Sequence, residues 1–371
     1  IITQKTGLLL DPYFSATKIS WILENIDGAR AKASAGKLRF GTVDTFLLWH
    51  LSDRKIHKTD ITNASRTNLF NINTLQWDQE LLDIFNVPLS MLPEVCSSDD
   101  KFGSLARNGC NIPITGMIGD QQSALVGQEC FEHGDMKATF GTGCFLMVNS
   151  GLKPQISKTG LLSTVGYKLD GNVNYALEGS IFSAGTTIQW LRDNMQFFND
   201  SKSSIDLLSS SGQSNGVIFI PAFTGVGAPH WNASVRASFY GITRDTSKQD
   251  MVTAGFKALI YQVMDIRDAL AEDGINIKNL SIDGGMATNE KFCQLLADFL
   301  GLDIRVPAST ESTASGAAMT AGIGHGVFSP IKTLLQSPSQ STIYKPREGI
   351  FNNADLEEWR KFLKVLMQTY S

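Results

Sequence analysis

The feature that most limits what this chain can fold into is an alternation. Short apolar runs of strand character, each ending at a glycine or a Gly-Asp step, repeatedly give way to helix periodicity. Such alternation argues for an α/β fold. Ile112-Pro-Ile-Thr-Gly-Met-Ile118 reads as a buried strand that stops at Gly119-Asp120, and a helix follows through Leu125. Residues 137–140 and 144–148 read as a hairpin joined by Gly141-Thr142-Gly143. Residues 217–220 are a further buried strand, and residues 250–272 carry a long helix pattern. Leu280-Ser-Ile282 is a strand ending at Asp283-Gly284-Gly285. The helix after it has Phe292, Leu295, Leu296 and Phe299 on one face and stops at Gly301.

The ends follow the same logic. Ser15 is placed to cap a helix with Ile19, Ile22 and Ile26 as its apolar face, ending near Gly28. Residues 313–322 are nearly all small, which predicts a helix lying close to a neighbouring backbone. Leu356, Trp359, Leu363 and Leu366 mark a closing amphipathic helix. Residues 209–216 read as a surface loop, and the expected domain boundary lies near residues 128–134.

At 371 residues, the chain holds two domains or one large one. Its 42% hydrophobic and 18% charged residues suffice for a sizeable core. A net charge of −4 gives no reason to expect nucleic acid or an anionic membrane as partner. No apolar run is long enough for a membrane-spanning helix, and no signal-peptide pattern is visible. The five cysteines form no CxxC pair and read as reduced thiols of a cytoplasmic protein.

Several familiar chemistries are excluded. There is no GxxxxGK[ST], no HExxH, no GxSxG and no zinc spacing, and the Gly-x-Gly pairs lack the third glycine of a dinucleotide fingerprint. What remains is a set of glycine-rich turns at Phe140-Gly-Thr-Gly143, Ala184-Gly185 and Asp283-Gly-Gly285. Such turns expose backbone N–H groups and let a phosphate approach closely. Asp120, between an apolar run and a helix start, is the most informative acid. From position alone it is equally a helix cap or a catalyst. Phosphoryl transfer asks little of a base, so a fixed carboxylate that orients a hydroxyl and accepts its proton late would suffice.

These residues carry a family resemblance. Asp11-Pro-Tyr-Phe-Ser-Ala-Thr-Lys18, Phe40-Gly-Thr-Val-Asp-Thr45, Thr62-Asn-Ala-Ser-Arg-Thr67, Gly119-Asp-Gln-Gln122 and Phe140-Gly-Thr-Gly-Cys-Phe145 are joined by Ala176-Leu-Glu-Gly179, Ile188-Gln-Trp-Leu-Arg192, Gly227-Ala-Pro229, Asp283-Gly-Gly285 and Thr313-Ala-Ser-Gly-Ala-Ala318. In this order the chain resembles the FGGY carbohydrate kinases, most of all the branch that acts on glycerol. The resemblance implies an actin-like (ribonuclease H-like) ATPase fold, with two domains around a cleft. Residues 1–128 would form the polyol side and residues 129–371 the nucleotide side. It implies ATP-dependent phosphorylation of glycerol, with Asp120 as base and as a ligand of Mg2+, directly or through water. Tyr13, Gln121 and Phe145 would contact the polyol. Thr142, Gly185, Gln189, Gly285 and Asn289 would contact the nucleotide. A homo-oligomer, dimer or tetramer, is part of the same expectation. Another FGGY sugar or polyol kinase, or a non-catalytic actin-like binding module, are the alternatives.

The sequence also departs from that family. The Asp-Gln-Gly-Thr-Thr-Ser-like phosphate hairpin and the Arg-Glu pair that grips glycerol are absent. The expectation is that the family's N-terminal segment is missing, that the first domain is incomplete, and that the chain alone has little activity. Leu105-Ala-Arg-Asn-Gly-Cys110 stands where bacterial members inhibited by a sugar bisphosphate carry a longer Gly/Arg-rich loop, which argues against that regulation. Gly255 replaces a usual small or branched residue, with a small local effect expected.

Overall fold

A computed structural model describes residues 1–107, 109–309, 311–328 and 340–370. A mixed sheet of seven strands forms the largest layer. Its strands are β1 (Asp135–Phe140), β2 (Cys144–Gly151), β3 (Leu162–Leu169), β4 (Asn172–Ile181), β5 (Asn279–Asp283), β6 (Ile304–Pro307) and β7 (Ser341–Tyr344). Their spatial order is β7-β6-β5-β1-β2-β4-β3. The β5 strand runs parallel to both neighbours, while β1, β2, β4 and β3 lie side by side in that order, each antiparallel to the next.

The predicted hairpin forms as β1 and β2, with Phe140 opposite Cys144. Six helices matter for the site: α1 (Asp120–Gly127), α2 (Gly185–Asp193), α3 (Lys248–Glu272), α4 (Glu290–Leu300), α5 (Ser312–Gly324) and α6 (Asn353–Thr369). The long pattern forms α3, opened by a reciprocal Ser247–Asp250 capping box. Gly301 ends α4 with φ +65°, as its position predicts. In α6, Leu356, Trp359 and Leu363 are buried, and Leu366 packs at the margin. The core between sheet and helices centres on Phe140, Phe256 and Phe292, with an edge-to-face contact at 5.2 Å between Phe140 and Phe292.

Helices α1 and α5 cross with their backbones in contact. A Cβ on Gly127 would lie 2.0 Å from the Ser312 carbonyl oxygen, and one on Gly316 would lie 1.8 Å from that of Ser123. The small-residue run therefore does make a close helix approach. Ser123 Oγ adds a hydrogen bond to the Thr313 carbonyl at 2.6 Å.

Residues before α1 are organised in smaller pieces: helices, a two-stranded parallel ladder of Lys58–Asp60 with Glu94–Cys96, and short hairpins. Two expectations are corrected here. Residues 112–118 are not a buried strand. Cys110–Ile114 pairs with Gly103–Arg107 as an exposed hairpin, and the chain then runs irregularly into Gly119. The apolar run misled because its inner residues Pro113 and Gly116 suit an edge and a bend. Helix Ser15–Asn25 buries Ala16, Ile19 and Leu23, leaving Ile22 and Ile26 exposed. Phe14, not Ser15, is its N-cap, and Ile26 rather than Gly28 follows its end. Of the stretch 105–110, Asn108 lies outside the described residues.

Candidate active site

The three glycine-rich turns meet. Gly185 N–H donates to the Gly141 carbonyl at 2.9 Å, and Ala184 and Thr186 N–H donate to that of Thr142 at 3.0 and 3.1 Å. Gly185 has no room for a side chain, since a Cβ would lie 2.4 Å from the Gly141 oxygen. On the other flank, Gly284 at φ +86° presses against Phe140, where a Cβ would lie 2.3 Å from the carbonyl oxygen. The hairpin tip is thus braced from both sides by bare backbone.

Around this junction Gly141, Thr142 and Gly285 are exposed, and α2 starts at Gly185. Gln189 lies one turn along α2 from Gly185 and is exposed, which puts both on one helix face. Asn289 caps α4, its Oδ1 accepting from Phe292 N–H at 3.0 Å. A nucleotide contact from Asn289 would fall to its Nδ2.

Asp120 stands at the start of α1. The helix-cap alternative is not what forms: Gly119 is the N-cap, and Asp120 is the first helical residue, with an exposed side chain. One carboxylate oxygen accepts from Gln121 N–H at 2.7 Å. The entry to the helix is held from below. Thr62 Oγ1 accepts from Gly119 N–H at 2.8 Å and donates to the fully buried Asp60. Asp60 also accepts from Ser98 Oγ and from the N–H groups of Thr62 and Asn63. Burial pushes the Asp60 carboxyl up to about 6, and Asp44 nearby adds to the rise, against the lowering by these hydrogen bonds.

Gln121 is tied to the sheet. Its Oε1 accepts from the ammonium of Lys137, which also donates to Thr139 Oγ1 at 3.2 Å and to the Phe145 carbonyl at 3.3 Å. Burial holds the Lys137 pKa below the usual lysine range, opposed by the carboxylates of Asp283, Glu178 and Asp120 and by Cys144.

Phe145 and Tyr13 line one cavity of about 330 Å³, together with Phe14, Glu178, Phe182 and Trp231. Half of its lining residues are aromatic, and Asp11, Glu178 and Ser180 are its non-aromatic polar ones. Glu178 is buried and paired with Arg66 at 2.8 Å, and the Arg66 guanidinium sits over the Phe14 ring at 5.3 Å. Neither Glu178 nor Lys137 is among the site residues expected from the sequence. A signal existed for both. Each is a charge flanked in its strand by apolar or small residues, Met136 and Ala138 for Lys137 and Leu177 and Gly179 for Glu178, so each needs a partner if buried.

Among the described residues no cluster of three or more His, Cys, Asp or Glu could enclose a metal. Mg2+ seldom uses such a cage; it keeps waters and takes one or two carboxylates plus substrate phosphates. The exposed carboxylate of Asp120 fits that manner of binding.

Comparison with known proteins gives the family. The N-terminal domain of the FGGY family of carbohydrate kinases matches residues 1–127, and its C-terminal domain matches residues 136–325. Glycerol kinase of Enterococcus casseliflavus is 45% identical over 100% of this chain and 74% of its own length. That of Bacillus subtilis is 46% identical over 98% of this chain and 74% of its own. The crystal structure of Plasmodium falciparum glycerol kinase with ADP superposes with a TM-score of 0.90 at 36% identity, covering 100% of this chain and 74% of that one. The fold is the actin-like one of these kinases, and among the described residues no helix is long and apolar enough to cross a membrane. The chain belongs to the FGGY family of carbohydrate kinases, on its glycerol kinase branch.

Proposed function

We propose that this chain catalyses ATP-dependent phosphorylation of glycerol to sn-glycerol 3-phosphate, with Asp120 as the catalytic carboxylate. Asp120 orients a terminal hydroxyl and takes its proton as the oxygen bonds to the γ-phosphorus. The bond from that phosphorus to the β,γ-bridging oxygen breaks, and ADP leaves. Little basicity is needed in so loose a transition state, so position matters more than proton affinity. Residues 1–128 supply the polyol side and residues 129–371 the nucleotide side. Tyr13 and Gln121 contact glycerol hydroxyls, while Phe145 packs on its carbon face. Thr142 meets the phosphates, and Gly185, Gln189, Gly285 and Asn289 meet the rest of the nucleotide. Bound Mg2+ would neutralise developing charge on the phosphates, with Asp120 holding it directly or through water.

One observation carries this reading. Gln121, next to Asp120, is tethered through Lys137 to Phe145, on the same hairpin whose tip is the braced glycine turn. A polyol pocket and a phosphate turn are thereby two parts of one hairpin.

The test is Asp120→Asn in the complete gene product, followed by a coupled ADP-release assay and by nucleotide titration calorimetry. The kcat should fall by about a thousandfold or more while ADP still binds. Undiminished turnover would sink the assignment. Running the same assay across polyols and pentuloses checks the substrate, and omitting Mg2+ should abolish turnover. A dimeric or tetrameric state belongs to the same reading, and sedimentation velocity measures it.

A further inference from the structure

Lys137 is buried to 0% exposure on β1, between the acid-bearing helix start and the cavity wall. An ammonium has three hydrogens to donate and no lone pair with which to accept. All three go to uncharged oxygens: Gln121 Oε1, Thr139 Oγ1 and the Phe145 carbonyl. Each belongs to a different part of the site. Gln121 follows Asp120, Thr139 lies in the strand leading to the glycine turn, and Phe145 walls the cavity.

The chemistry at Gln121 is directional. The oxygen and nitrogen ends of a side-chain amide have nearly the same shape, so packing alone does not choose between them. A cation does choose. Only the amide oxygen can face an ammonium, so the Nε2 hydrogens must point away from Lys137. We propose that Lys137 is a positioning residue that fixes the Gln121 amide so that its Nε2 donates to a glycerol hydroxyl oxygen. The inference rests on the reading of Gln121 as a polyol contact and goes beyond it by giving that contact a polarity and a cause.

The arrangement accounts for a buried charge that has, among the described residues, no ion-pair partner in direct contact. Asp283, Glu178 and Asp120 act on it only through the longer-range field. An isolated ammonium is costly to bury, and here its acceptors are three groups of the site. Held this way, Gln121 is a pre-oriented donor beside Asp120, an acceptor. A primary hydroxyl that gives its proton to one residue while its neighbouring hydroxyl oxygen accepts from the other is fixed at two points. A compound lacking that second oxygen would leave the Nε2 hydrogens unpaired.

The test uses the complete gene product and steady-state kinetics in both substrates. Lys137→Met keeps the length of the side chain and removes the charge. The KM for glycerol should rise about tenfold to a hundredfold, with the KM for ATP changed by less than about threefold. Gln121→Ala should raise the glycerol KM in the wild-type background and add little in the Lys137→Met background, which a merely structural lysine would not produce. Gln121→Glu offers the ammonium an acceptor but has no N–H for the substrate. It should fold normally and lose glycerol affinity as Gln121→Ala does, which keeps the inference testable if Lys137→Met does not fold. An unchanged glycerol KM in Gln121→Glu, or additive effects of the first two substitutions, overturns it. Asp120→Asn run in parallel separates the two failures. If that variant stays active, the reading of the site itself is wrong; if it is dead while Gln121→Glu is normal, only this inference falls.

Discussion

The regions before and after α1 are stabilised differently. After α1, one continuous sheet and its helices share one large core with residues from Met136 to Leu363, beside two smaller groups around Tyr167 and Phe219. Before α1, the buried apolar residues fall into separate small groups around Leu82, Phe70, Leu8 and Phe102. Large side chains there also stand in solvent, among them Trp21, Val43, Phe46 and Leu47. The second region can hold its shape through its own core, whereas the first depends on contacts that reach across. Leu8 and Phe14 pack with Leu162, Ser65 bonds to Thr164, and Arg66 pairs with Glu178. The lesson concerns the site: its glycine-rich turns rest on the self-sufficient region, and Asp120 and Tyr13 rest on the dependent one.

The most severe way to break this dependence is at the crossing of α1 and α5. Gly316→Leu puts a side chain where Ser123 backbone already lies. It should cost about 4 kcal/mol or more and strip the first region from the second, read as early loss of protection there in hydrogen exchange. Arg66→Met comes next. It leaves Glu178 buried without its cation and should lower stability by about 3 kcal/mol in urea denaturation. Adding Glu178→Leu should recover most of that, because removing both charges differs from orphaning one.

The next effect lies within the first region and depends on pH. The Asp60 acid is raised from 3.8 to about 6, so the folded state holds its proton more tightly than the unfolded chain does. The stability linked to that proton is fully present below the unfolded value and is lost as pH rises through about 6. Compared with Asp60→Asn, which does not titrate, the wild type should lose about 2 kcal/mol between about pH 4 and pH 7. Denaturation curves at each pH check it, and a flat difference would refute the account of Asp60. The smallest effect is expected at Gly255 in α3. A Cβ there would meet Leu191 Cδ1 at 2.7 Å, the movable end of a side chain, while the helix gains alanine propensity. Gly255→Ala should change stability by less than about 1 kcal/mol, as a thermal melt would show.

The two regions also differed in how far the sequence revealed them. The β1–β2 hairpin, the Asp283-Gly284-Gly285 turn, the capped α3 and the Gly301 stop follow from neighbours in sequence, and periodicity and turn chemistry were enough to find them. The small-residue run in α5 announced a close approach, though not to which partner. The first region offered less. Which face of helix Ser15–Asn25 turns inward depends on what lies beneath it, and Ala16 and Leu23 outweighed the more apolar-looking Ile22 and Ile26. In the site, glycines and Asp120 could be picked out by local signals. Lys137 shows locally only a charge between apolar neighbours; its role exists only once Gln121, sixteen residues earlier, and Phe145, eight later, have been folded against it.

The bare-backbone crossing of α1 and α5 has a mechanical consequence. With bare backbone in contact at Gly127 and Gly316 and only the Ser123 hydroxyl reaching across, the helices cannot be pushed closer, so the contact acts as a fulcrum. Asp120 is about five residues from its middle, a lever arm of roughly 7 Å. A ten-degree swing of one region against the other would therefore carry the carboxylate through only about 1 Å. The acid sits on the short arm, nearly stationary, and whatever opening and closing the enzyme performs is travelled mostly by parts farther from that pivot.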